Sequence, residues 1–196
     1  MLPDFTGFYN KASSIKEVLQ MDYPVLIIPG HGNSGPAHWQ SLWQGKQSEW
    51  RRIQVDDWDH AVCDDWVAAI EKEVARLGSD TILVAHSLGC LAVVQWAARY
   101  TSRIRGALLV AVPDPAGPAF PSADAIGFLP LPIQRLPFPS TVVASSDDPY
   151  ASVAFARSCA AAWGSAFVEA GARGHLNAGS NLGDWPDGYQ LLQRLA

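Results

Sequence analysis

Residues 81–98 read TILVAHSLGCLAVVQWAA: an apolar run through Ala85, a break at His86-Ser87-Leu88-Gly89, then apolar residues at helical spacing. A continuous β-branched and aliphatic run suits a strand covered on both faces, and the residues after the break suit a helix. The same alternation repeats outward from this stretch. Residues 25–29, VLIIP, form a second buried strand closed by Gly30, and Pro36 stands at a favoured first helical position with Trp39, Leu42 and Trp43 following on one face. Residues 52–55 read as a weaker strand. Residues 63–77 read as a helix, with Trp66, Ile70, Val74 and Leu77 on one side and Gly78 as a stop. Strands at 104–112, 141–144 and 166–168 follow, with a helix at 153–163 before the last. Strands separated by long helices pair in parallel, because each crossover returns the chain to the same end of the sheet. The fold class is therefore α/β, a three-layer α/β/α sandwich with a mostly parallel central sheet and a minimal cap or none.

The chain has 196 residues, 48% hydrophobic and 17% charged, enough for one well-buried core. One domain is expected over 25–196, preceded by an N-terminal extension, 1–24, with a short helical pattern at Ile15, Val18 and Leu19. Residues 113–139 interrupt the alternation and hold eight of the fourteen prolines. Such density denies regular hydrogen bonding, so the segment reads as an excursion over the sheet. Its Phe120, Ile126, Phe128 and Leu129 are expected to wall a compact pocket.

A net charge of −5 with scattered Lys and Arg argues against nucleic acid as a partner. The N-terminus lacks the basic-then-apolar pattern of a secretory signal, and no run of about 18 apolar residues occurs, so a cytoplasmic protein without a membrane partner is expected. Cys63, Cys90 and Cys159 show no CxxC spacing, and His31, His38, His60, His86 and His175 include no HExxH pair. No metal or other cofactor is expected.

In an open parallel sheet, ligands bind beyond the carboxyl ends of the strands, where Ser87 stands. Ala85-His86-Ser87-Leu88-Gly89 matches a nucleophile elbow, with Ala85 in place of the usual first glycine. The competing reading makes Ser87 the N-cap of the following helix. A nucleophilic serine needs a base, and the base needs an orienting acid, in the chain order serine, acid, histidine for this fold class. Ser146-Asp147-Asp148-Pro149-Tyr150 follows one strand and Gly174-His175-Leu176-Asn177 follows the last, so acid and imidazole come to the edge that carries Ser87. Asp148, restricted by Pro149, is preferred as the acid. Asp147 could instead cap a helix near Tyr150, and Asp114 after the 104–112 strand is a third candidate. Oxyanion donors are expected from the N–H groups of Leu88, at a helix start, and of His31, in the glycine-rich loop 29–35.

The ordered motifs PGHGNSGPAHW, DDWD at Asp56 to Asp59, VAHSLGCLA, SSDDPY and GHLNAGSNLGDWPDG resemble those of the small α/β-hydrolases that include retinoblastoma-binding protein 9 and the YdeN-like proteins. The resemblance implies Ser87, Asp148 and His175 as catalytic residues, with His31, Trp39, Trp58 and Asn177 near the pocket. The LxCxE sequence that binds the retinoblastoma protein is missing, so that partner has no support. The expected activity is a carboxylesterase-like hydrolase of small-molecule esters or related acyl compounds. A non-catalytic protein that keeps the fold, and an amidase or peptidase using the same residues, are the alternatives.

Overall fold

The computed structural model describes residues 21–196; the helical pattern at Ile15, Val18 and Leu19 lies outside the described residues. Among the described residues, six strands form one sheet: β1 (Val25–Ile28), β2 (Arg51–Arg52), β4 (Ile82–His86), β5 (Gly106–Val110), β7 (Ser140–Ala144) and β8 (Ala166–Glu169). Their order is β2-β1-β4-β5-β7-β8 and every pairing is parallel. The chain runs from β1 outward to β2, then crosses to β4 and continues the other way. The reversal leaves a crevice beyond the carboxyl ends of β1 and β4, where ligands bind in such sheets. A separate pair, β3 (Ala61–Val62) with β6 (Ala125–Ile126), ties the excursion to the segment before α2 (Cys63–Leu77).

Two faces follow from the alternation of side chains along each strand. Leu26, Ile28, Leu83, Ala85, Leu109 and Val142 face α2, α3 (Leu88–Arg99) and α4 (Val153–Trp163). Val25, Ile27, Ile82, Val84, Leu108 and Val143 face α1 (Trp39–Gly45) and α5 (Pro186–Gln193). Near-complete burial of β1, β4, β5 and β7 on both faces explains why these inner strands read as mostly apolar runs.

Besides the short pair β3 and β6, which no sequence signal marks, three elements differ from the sequence expectation. Helix α1 begins at Trp39, because Pro36 lies in a turn whose Gly35 carbonyl accepts from His38 N, and the His38 side chain then caps the helix by accepting from Gln40 N. The strand expected at 52–55 is β2; after Ile53 N bonds to Ile27 O the chain turns, and Val55 packs on the core. Helix α5 is the third. Its signals, Pro186 in the first turn and Tyr189 and Leu192 on one face, span too little chain to stand out.

The 113–139 excursion is pinned from below. Gln95 Nε2 donates to Phe128 O (3.1 Å) and Pro130 O (2.9 Å), and Trp163 Nε1 donates to Pro132 O (2.8 Å).

Candidate active site

Ser87 joins β4 to α3 with φ 53° and ψ −124°, a strained backbone for a residue with a side chain. The strain comes from a turn tight enough that helix and strand nearly touch. A Cβ on Gly89 would stand 2.4 Å from Pro29 O and 2.5 Å from Ile28 O, and one on Gly30 would stand 2.9 Å from Ser87 Cβ. Only glycine fits at these two positions. Ala85, fully buried, is accommodated with its methyl group in the core. The Ser87 side chain makes no capping bond to α3. Its Oγ instead lies 2.8 Å from His175 Nε2.

His175 follows β8, on a loop that folds back across the crevice. Its Nδ1 lies 2.9 Å from both carboxylate oxygens of Asp148, which also accepts from Tyr150 N (2.9 Å). A carboxylate only accepts, so Nδ1 carries the proton and Nε2 is left to accept from Ser87. The Asp148 side chain is 3% exposed, shielding the pair from competing water. Tyr150 packs on the His175 ring at 4.4 Å between centroids.

The other two acids have different work. Asp147 Oδ1 accepts from Ser145 Oγ (2.8 Å) and Gly174 N (2.7 Å), stapling the acid loop to the base loop. These bonds, Ser145 first, hold its carboxyl below the usual range. The helix near Tyr150 starts at Val153 and is capped by Ser152, not Asp147. Asp114 Oδ1 accepts from Ala116 N in its own turn.

The loop after β1 approaches the same point. His31 Nε2 donates to Asp59 O (2.8 Å) and Gly32 N to Trp58 O (2.9 Å), so the segment around Trp58 props this loop through its main chain. Among the described residues, no acceptor takes the backbone N–H of His31 or of Leu88. Together these loops enclose a cleft of about 510 Å³ at Ser87, lined also by His31, Asn177, Phe120 and Tyr150.

Several residues expected at the pocket lie elsewhere. Trp39 is 1% exposed and sits in the core beneath the base loop. The Trp58 ring packs against Trp66 at 5.4 Å. Phe128 is buried against Trp66, while Ile126 and Leu129 face solvent, so Phe120 alone of the four excursion residues reaches the cleft. Asn177 does line it, and its Oδ1 also caps the next turn by accepting from Gly179 N (2.9 Å).

Two histidines with no role in the sequence expectation join the site. His86 and His38 line the cleft and pack ring to ring at 4.7 Å, with His86 5.0 Å from His175. Burial, then the Arg52 charge, lowers His38 to about 4, and burial pushes His86 well below the ordinary histidine value. Both are therefore neutral near pH 7. The adjacency of His86 to Ser87 was visible in the sequence, but its distant partner was not.

The description "Serine hydrolase" belongs to the family profile that matches residues 25–194. A protein described as a YdeN-like hydrolase from Pectobacterium atrosepticum is 31% identical, with a TM-score of 0.78 over 88% of this chain and 90% of that one. The ydeN product of B. subtilis is 20% identical at TM-score 0.68, covering 88% and 98% of the two chains. The Rhodococcus esterase RhEst1 is 15% identical at TM-score 0.62, covering 88% and 89%. These last two share the fold. No curated protein matches the sequence significantly. With an α/β-hydrolase sheet, a serine at its elbow and a profile match over nearly all the described residues, this chain belongs to the serine hydrolase family.

Proposed function

We propose that this protein hydrolyses small, uncharged esters or related acyl compounds through an acyl-enzyme on Ser87. The observation that carries the reading is the hydrogen-bonded series Asp148, His175, Ser87, with separations of 2.9 and 2.8 Å, on a strained elbow at the cleft. His175 Nε2 takes the Ser87 proton as Oγ attacks the carbonyl carbon. Asp148 holds the tautomer and stabilises the imidazolium. The N–H groups of Leu88 and His31 receive the developing oxyanion, Leu88 aided by the helix dipole. The tetrahedral species then expels the leaving group, which takes the proton from Nε2. A water molecule, deprotonated by His175, attacks the acyl-enzyme, and as the acid departs Ser87 Oγ takes that proton back from Nε2.

The cleft supports the substrate class. None of its lining residues is Asp, Glu, Lys or Arg, and Phe120, Pro113, Pro121 and Leu88 supply apolar surface. A site of about 510 Å³ suits a small ligand rather than a long lipid. Each methylene that fits adds roughly 0.8 kcal/mol of burial, and one that does not fit adds nothing. The three cysteines, free and buried, fit the expected cytoplasmic residence.

A fluorophosphonate probe should form one adduct, mapped by mass spectrometry to Ser87. An unlabelled protein, or an adduct elsewhere, would remove the reading. With nitrophenyl esters, kcat/KM should rise over the first few acyl carbons and then fall. A rise continuing to about ten carbons would point to an open lipid groove instead.

A further inference from the structure

The turn that presents His175 takes a left-handed backbone on both sides of it, which is free for Gly174 and strained for Leu176. Gly174 has φ 55°, and Leu176, a fully buried leucine, has φ 48°. Such backbone persists only where its surroundings over-determine it. Here two buried rings reach successive carbonyls of the turn. His86 Nε2 donates to His175 O at 2.9 Å, and Trp39 Nε1 donates to Leu176 O at 2.8 Å. His86 is 5% exposed and Trp39 1%, so neither bond competes with bulk water.

We propose that His86 and Trp39 are positioning residues, whose ring N–H groups clamp the backbone at His175 and Leu176 and so hold the imidazole between Ser87 and Asp148. His86 directly precedes Ser87, so one residue ties the nucleophile's elbow to the base's main chain, 89 positions away. The carbonyl it meets can only accept, which puts the His86 proton on Nε2. Burial keeps His86 neutral, so it adds no second charge beside His175 when that ring takes the serine proton. Trp39, at the first turn of α1, extends the clamp by one residue and stacks edge-on against Trp185 at 5.0 Å.

The consequence for turnover rests on the hydrolase reading; the clamp can be read without it. His86→Phe keeps a ring and removes the donor. It should lower kcat roughly 10- to 100-fold with KM within about twofold, as expected when a reacting group is misplaced but the cleft is kept. His86→Gln places an amide N–H near the lost Nε2 and should recover kcat to within about fivefold of wild type. The second reading is the downfield NMR resonance of the His175 Nδ1 proton shared with Asp148. It should broaden or vanish in His86→Phe and return in His86→Gln. An unchanged kcat and resonance in His86→Phe, a His86→Gln no better than His86→Phe, or an effect on KM alone would overturn the clamp. Should His86→Phe not fold, Trp39→Phe decides by the same readings, with an expected loss of about fivefold in kcat. If the wild-type chain cleaves no ester and takes no fluorophosphonate, the hydrolase reading fails by itself, and the proton resonance still decides the clamp.

Discussion

The two faces of the sheet are both sealed by helices, yet their tryptophans end in different places. On the face of α2, α3 and α4, Trp96 donates to Glu71 (2.7 Å) and Trp163 to Pro132 O (2.8 Å), tying helix to helix and helix to excursion. On the face of α1 and α5, Trp39 and Trp43 donate to Leu176 O (2.8 Å) and Asp184 O (2.6 Å), both on the segment that carries His175 onward to α5. Trp39, Trp43, Trp50, Trp185 and Tyr189 pack there as one aromatic cluster. Burial of large rings stabilises either face, but only the second couples that burial to the position of the base.

The largest effect should come from what that second face delivers. Asp148→Asn should lower kcat by on the order of 10⁴ while leaving the fold intact, since the imidazole tautomer depends on this acid. Steady-state kinetics beside a thermal melt would check it, and a near-wild-type kcat would mean the base loop is placed for another purpose.

On the opposite face, Ile70→Ala opens a hole in a fully buried site and should cost about 2–5 kcal/mol in denaturant unfolding, with kcat per folded molecule unchanged. A fall in kcat matching the fall in stability would erase the distinction between the faces.

Acid probes the histidines beneath the base. His38 has its value lowered from 6.5 to about 4, so as pH falls below about 6.5 the unfolded chain takes up this proton while the folded chain does not. The His38 share of stability should therefore fall between pH 6.5 and 4, by on the order of 3 kcal/mol, and that share levels off below. His38→Asn, which keeps a capping side chain, should flatten that slope in urea titrations at several pH values. A slope identical to wild type would assign the acid sensitivity elsewhere.

The smallest change should be Asp147→Asn. An amide oxygen can still accept from Ser145 and Gly174, though more weakly than a carboxylate, so kcat should fall about threefold to tenfold. A loss equal to that of Asp148→Asn would show that the two neighbouring acids have been assigned the wrong way round.

Much of the architecture was legible in the chain because its causes are local. Strands buried on both faces must be apolar throughout, and the tight turn at Ser87 requires Gly89, so β4, the elbow and α3 could be read from one stretch. Ser87, an acid after β7 and a histidine after β8 come together because parallel crossovers bring all three loops to one edge.

Side-chain direction was not legible. Trp39 and Trp58 have the residue type of a pocket wall, but the short helix α1 turns Trp39 into the core, and Trp58 meets Trp66 from a segment distant in sequence. Phe120, Ile126, Phe128 and Leu129 look alike in a proline-rich run. Bonds from Gln95 to the carbonyls of Phe128 and Pro130 help place Phe128 inward, while Ile126 and Leu129 stay in solvent.

The sequence by itself determined the order of the strands along the chain, the strained serine and the loops that carry its partners, because these depend on backbone sterics and on the period of burial. Only the tertiary structure decided that His86 and Trp39 hold the carbonyls of His175 and Leu176, and it set Asp148, the acid preferred from its proline neighbour, against His175. Those contacts join residues as far as 137 positions apart, and packing sets their geometry to a few tenths of an ångström, which no local pattern encodes.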